Sequence, residues 1–217
     1  MAISAAANKA SKTITQRILR GVFSLATAVF LACILAVPFV YESQTLWYKT
    51  GVDRLLLQGG QLLGLLALFS LIAQIILGTR GRVLEEAFGV ATLVRWHKRN
   101  GLLLCFFAVL HVLFILVPEG LANLPLGKKH WPEMVGGLLL VLLFLQAVFS
   151  LLRQKLALNY LRWRVVHRGV GYLALGLVVL HVLFVADSFA QGVPRGALVF
   201  AVAVVMLVIS GVKLSKK

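Results

Sequence analysis

The stretch Arg95-Trp-His-Lys-Arg-Asn-Gly-Leu-Leu-Leu-Cys-Phe-Phe-Ala-Val-Leu-His-Val-Leu-Phe114 sets two histidines, His97 and His111, fourteen residues apart in an otherwise apolar run. Seventy residues later the pattern returns. His167 and His181 are again fourteen apart, a glycine again follows the first histidine by four (Gly101, Gly171), and both copies close on Leu-His-Val-Leu-Phe (110–114 and 180–184). On a helix turning about 100° per residue, fourteen residues bring a side chain to within roughly 40° of its starting direction and about 21 Å further along the axis. Each copy therefore predicts a helix with two histidines on one face, at two heights.

The surrounding chain says what kind of helix this is. Its 217 residues are 60% hydrophobic, and the mean hydropathy is +0.95, too apolar for a soluble domain. Apolar runs of spanning length fall at about 21–41, 55–78, 99–118, 133–152, 167–186 and 195–213. A helix needs about 20 apolar residues to cross the hydrocarbon. Gly51, Gly78, Pro118, Pro132 and Pro194 sit at or near the edges of these runs, where helix breakers belong. Residues 1–20 are acid-poor and Ser/Ala-rich like a targeting peptide, but the run that follows is too long for a signal h-region. It reads as a retained first span. The fold class is thus all-α, a polytopic membrane bundle of six transmembrane helices.

The net charge of +15 does not point to nucleic acid, because the basic residues lie between apolar runs rather than on one face. Segments 1–20, 79–99, 153–168 and the C-terminal Lys213, Lys216 and Lys217 hold seventeen of the 22 Lys and Arg, with only two acids, Glu85 and Glu86. The alternate segments hold the other five basic residues and five acids. By the positive-inside rule both termini are cytoplasmic. The third and fifth spans then run the same way, so His97 and His167 share the inner level and His111 and His181 the outer one. Cys33 and Cys105 lie inside apolar runs without metal-ligand spacing. Gly60, Gly64, Gly136 and Gly137 are read as close helix contacts, and Gln58, Gln61, Gln74 and Gln146 as bonding across helices or facing the interior.

Ionisable residues within the bilayer are costly and usually mark sites. Four structural histidines, each bonding a neighbouring helix, are the plainest reading. A zinc or copper site needs three or four converging ligands, whereas each level offers two imidazoles with no acid or thiol pair nearby. A proton relay lacks a carboxylate to bridge the roughly 21 Å between levels. Two imidazoles facing each other from neighbouring helices suit the axial positions of a b-type haem. The residues between the ligands, Gly101, Leu104 and Ala108 on one helix and Gly171, Ala174 and Val178 on the other, are mostly small. The pairs are His97 with His167 and His111 with His181, giving two stacked haems. Arg95, Lys98, Arg99, Arg164 and Arg168 are candidates for the inner propionates, and Arg54, Lys128, Lys129 and Arg195 for the outer. His130 is read as a loop histidine, and as the candidate for contact with an outer acceptor.

At these residues the chain resembles the ferric reductase-like transmembrane domain. That superfamily includes NADPH oxidases, ferric-chelate reductases and the haem-binding membrane subunit of bacterial methionine sulfoxide reductase. The likeness runs from about the second span to the sixth and rests on His97-x13-His111 and His167-x13-His181. It implies that these four histidines are bis-histidyl ligands of heme b in a six-helix core spanning 21–217, preceded by a basic cytoplasmic segment, 1–20. The oxidases continue into FAD- and NADPH-binding domains. This sequence has no Gly-rich dinucleotide fingerprint after a strand and ends at Lys217, so the expected donor is a separate flavoprotein reductase or a quinol, with flavin only through that partner. The sulfoxide reductase subunit has a similar length but typically lacks a histidine at the position of His97.

The expectation is an oxidoreductase component in the bacterial inner (plasma) membrane, in contact with lipid. It would pass electrons from a cytoplasmic-side donor to an outer-face acceptor, a ferric chelate or oxygen. Delivery of electrons to a periplasmic reductase such as methionine sulfoxide reductase is the alternative within redox chemistry. A haemless transporter or structural membrane protein is the alternative outside it. Internal likeness is read as confined to the third and fifth spans, whose midplanes lack prolines, unlike the broken helices of transporters.

Overall fold

A computed structural model of the chain describes residues 2–120, 124, 127–190 and 192–214, with the side chains of 2–12 and 213 left out. Lys216 and Lys217, and the side chains of Lys9, Lys12 and Lys213, therefore lie outside the described residues. Seven α-helices account for nearly all the rest: α1 (Ala2–Val40), α2 (Gly51–Thr79), α3 (Arg82–Phe88), α4 (Val90–Glu119), α5 (Trp131–Leu152), α6 (Tyr160–Val185) and α7 (Gly192–Leu214). All but α3 are long and apolar enough to cross a membrane, and no strand occurs among the described residues.

The helices outrun the apolar runs because nothing in the flanking polar sequence stops them. Residues 2–20 contain no Gly or Pro, and α1 passes through them unbroken into the first span. The basic segment before the third span also folds. Gly81 and Gly89 bracket the short α3, and Gly89 at φ +78° turns the chain directly into α4. Arg20 and Gln16 of α1 hydrogen-bond the carbonyls of Ala87 and Glu86, tying α3 down.

Both α2 and α5 touch both α4 and α6. The four close a ring in which α4 and α6 face each other across the middle. α1 and α7 pack against α2 from outside, through Phe30 on Phe69 and through Val205 and Ile209. The buried cluster runs through the ring: Leu68, Leu71 and Ile75 of α2, Leu104 of α4, Leu139 and Leu143 of α5, and Ala174, Leu175 and Val178 of α6. Outside it the apolar side chains point away from the protein, with Leu102 53%, Phe144 58% and Phe200 72% exposed. Such a belt requires a hydrocarbon surround. In that surround helix association rests on close packing and hydrogen bonds rather than on the hydrophobic effect. One clasp of this kind closes the end opposite α3: Ser43 and Thr45, beyond α1, both donate to Asp187 Oδ2, at 2.9 and 3.2 Å, beyond α6.

Candidate functional site

The histidines meet across the middle of the ring. His97 of α4 faces His167 of α6 with ring centroids 6.0 Å apart, and His111 faces His181 at 6.4 Å. These are the pairs expected from the spacing. Between the two levels Leu104 and Ala108 on α4 and Ala174 and Val178 on α6 are buried.

What holds each ring comes from α2 and α5. His111 Nδ1 lies 2.8 Å from the carbonyl of Gly60, His181 Nδ1 3.0 Å from that of Pro132, and His97 Nδ1 3.2 Å from that of Gln74. A carbonyl only accepts, so in these three rings Nδ1 carries the proton and donates, leaving the Nε2 lone pair outward. For His97 that lone pair meets the side-chain amide of Gln74 at 3.2 Å. His167 differs, since its Nδ1 faces the Ser150 hydroxyl at 3.3 Å. Cross-helix hydrogen bonds in membrane proteins average only about 0.6 kcal/mol each. Their larger effect here is to fix ring orientation.

Glycines set the closeness of approach. A Cβ on Gly64 would lie 2.8 Å from His111 Nδ1, and one on Gly136 would lie 2.5 Å from His181 Cε1. These two glycines are platforms for the outer imidazoles, while Gly60, against Ile115 and Phe114 of α4, is the helix contact that the sequence suggested. Gly137 has nothing within 4 Å of its added Cβ. Gly101 makes room for the Gln74 amide, whose nitrogen would be 3.0 Å from a Cβ there.

These contacts extend the internal repeat and correct its reading as confined to two spans. Gly60, Gly64 and Gln74 on α2 have the spacing of Pro132, Gly136 and Gln146 on α5. In each hairpin, α2–α4 and α5–α6, the first helix supplies a carbonyl, a glycine platform and a glutamine to the histidines of the second. Gln146 donates to the carbonyl of His167 rather than to its ring. Gln61 and Glu133, also at matched positions, each carry a buried oxygen without a hydrogen-bond partner among the described residues.

The end of the ring at His97 and His167 carries further chemistry that sequence reasoning missed. Trp163, one turn before His167, stacks on its ring at 4.9 Å and 26°, and Tyr160 stacks on Trp163 at 6.0 Å. The Arg153 guanidinium stands 5.3 and 5.4 Å from the Tyr160 and Trp163 centroids, a cation–π arrangement. The i, i+4 spacing of Trp163 and His167 was visible, but on a helix surface it does not by itself distinguish a stack from two separate contacts.

The residues fit an iron porphyrin. Two metal–imidazole bonds of about 2.0 Å, with the roughly 1.1 Å from nitrogen to ring centre on each side, place the ring centres about 6 Å apart. The observed 6.0 and 6.4 Å match this. Imidazoles that bind metal through one nitrogen commonly donate from the other to a carbonyl, as three do here. Among the described residues no group of three or more His, Cys, Asp or Glu gathers to cage a bare ion. A porphyrin brings the other four ligands itself. Of the propionate candidates, Arg54 is bonded to Glu42 at 2.7 Å, while Arg95, Lys98, Arg99, Lys128, Lys129, Arg164, Arg168 and Arg195 are exposed. His130 lies 3.6 Å from Glu133 at the start of α5.

Comparison with known families finds a match to the ferric reductase like transmembrane component over residues 63–178, more than half of the chain. The matched segment includes His97, His111 and His167, and ends three residues before His181. No curated protein and no solved structure matches the chain.

Proposed function

Because the chain belongs to the ferric reductase-like transmembrane family, a family of membrane redox components, we propose that it is a b-type diheme electron-transfer protein. Electrons would enter from a cytoplasmic-side donor, a separate flavoprotein reductase or a quinol, and leave to an outer-face acceptor such as a ferric chelate or oxygen. The observation that carries this reading is the facing of two imidazole pairs across one helix ring, at the separation that two ligands of one metal take. A haem iron with two imidazole ligands has no open position, so it exchanges single electrons rather than binding a substrate.

Under this reading His97 and His167 hold the haem nearer the basic, cytoplasmic end, and His111 and His181 hold the outer one. The carbonyls of Gly60 and Pro132, by occupying Nδ1, would leave Nε2 of His111 and His181 for the iron, whereas at His97 the Gln74 side-chain amide on Nε2 would have to give way. Purified protein should carry about two b-type haems per chain, reducible by dithionite. His111→Ala and His181→Ala should each remove the outer haem, and His97→Ala and His167→Ala the inner one alone. A preparation without haem, or haem content unchanged in these four variants, would sink the proposal.

A further inference from the structure

The two hairpins differ at the end that holds His97 and His167. Between α2 and α4, Asn100 Nδ2 donates to the Ser70 carbonyl and to Gln74 Oε1, both at 2.8 Å, and Leu93 is 1% exposed. That seam is shut. The repeat places Val170 where Asn100 stands, Leu142 where Ser70 stands and Trp163 where Leu93 stands. Val170 and Leu142 cannot form that clasp; at this level Gln146 and Ser150 join α5 to α6 at His167, and beside these bonds a groove of ≈ 580 Å³ lies along the two helices.

Its lining is graded. Leu145, Phe149 and Val166, 44%, 48% and 63% exposed, form a flank on the apolar belt. Asn159 and Arg162 lie at the polar rim where α6 begins, and Gln146, Trp163 and His167 line the cavity as well. Small-molecule sites have this volume, mostly apolar walls and a few placed polar groups. A water-soluble donor would approach from the basic surface and has no use for a flank open to the bilayer. A planar ring bearing two hydroxyls and an apolar tail suits both parts of the lining.

We propose that this α5–α6 groove binds a lipid-soluble quinol and is where electrons enter the protein. The proposal rests on the haem reading, since the electrons leave through His167. The Gln146 amide oxygen offers an acceptor to a quinol hydroxyl. On oxidation both O–H bonds break and the two C–O bonds become the C=O bonds of the quinone. The two protons leave to water at the Asn159–Arg162 rim. The two electrons leave one at a time and would match two one-electron carriers, one held at each histidine level.

The test uses the full chain in lipid nanodiscs, with haem counted before any assay. A photoreactive azido-quinone should label residues within 142–170, and a short-chain quinol should reduce the haem in a stopped-flow mixer. Val166→Trp and Leu145→Trp fill the groove from its two helices. Each should abolish labelling and slow quinol-driven reduction roughly ten-fold or more, as loss of about 1.4 kcal/mol of binding would do. Dithionite-reducible haem should stay at the wild-type level, and Val165→Trp, which points a large side chain outside the groove, should leave both readouts unchanged. Labelling elsewhere overturns the proposal, as does unaltered reduction in both groove variants or failure of quinol to reduce a wild-type protein carrying two haems. A protein without haem defeats the function proposed above, and the labelling pattern then still decides whether the groove takes a quinone.

Discussion

An imidazole can only serve as an oriented ligand if its second nitrogen and its flat face are both fixed, and in the outer pair each is fixed by a backbone group. His181 donates to the Pro132 carbonyl and lies against Gly136. A methyl group at Gly136 would stand 2.5 Å from the ring, so the ring must move. Overpacking of this kind typically costs about 1–3 kcal/mol, and here it falls on one ligand. Gly136→Ala should therefore bring haem per chain from about two toward one, with the inner haem retained. Gly137→Ala, next to it and with open space around it, should leave the spectrum unchanged. Equal loss in both variants would show that helix propensity rather than ring contact matters. At the inner level Gln74→Leu removes the amide that meets His97 Nε2 and Asn100. That amide occupies the nitrogen an iron would take, while the Gln74 carbonyl on Nδ1 is kept, so the inner haem should be retained in this variant; its loss on dilution in detergent would show that the amide supports the site in another way. The histidines themselves were legible because fourteen residues return a helix to nearly one face. Gly64, Gly136 and Ser150 were not, because their roles lie in contacts between helices distant in sequence.

Among the elements, the division of labour is between ligand helices and holding helices. α4 and α6 carry the histidines, and α2 and α5 carry what positions them. The sequence does contain this second repeat, in the matching spacings Gly60–Gly64–Gln74 and Pro132–Gly136–Gln146, but three polar or small residues in a leucine-rich run stand out less than two histidines. The helix α3 was hidden for another reason. Its seven residues are too few for a period to declare itself, and isolated helices this short are marginal without packing; contact with α1 stabilises it. Away from the site, the Asp187 clasp joins the segments after α1 and after α6. Hydrogen bonds to a charged group contribute about 1.5–3 kcal/mol. Asp187→Ala should lower the thermal unfolding midpoint in detergent with haem content per folded chain unchanged. An unaltered midpoint would show that water replaces the clasp.

At the scale of the whole molecule, charge and exposure define how the bundle sits. The apolar belt wraps all six long helices, and the connection at Arg153–Asn159 lies at the opposite end from Lys128–His130. By the positive-inside rule the basic excess around the former is expected on the cytoplasmic side. In intact cells of a variant lacking Cys33 and Cys105, a cysteine placed at Lys128 should react with a membrane-impermeant maleimide, and one at Lys155 only after permeabilisation. The reverse pattern would invert the direction assigned to electron flow. Fold class and span number were readable because a bilayer imposes long apolar helices. The α5–α6 groove was not, since its lining comes from α5, the 153–159 connection and α6 together, residues that no single periodicity groups.

The hairpins also bear on assembly. Each level takes one imidazole from α4 and one from α6, hence one from each hairpin. A group bound at either level is then a bolt through two half-proteins, and its binding free energy is linked to their association. Severed in the connection between α4 and α5 and produced as two chains, the halves should come together when haem is supplied and drift apart in a haem-starved host. Co-purification through a tag on one half would measure this. The histidine pairs would then act as the lock of a two-part machine as much as its conductors.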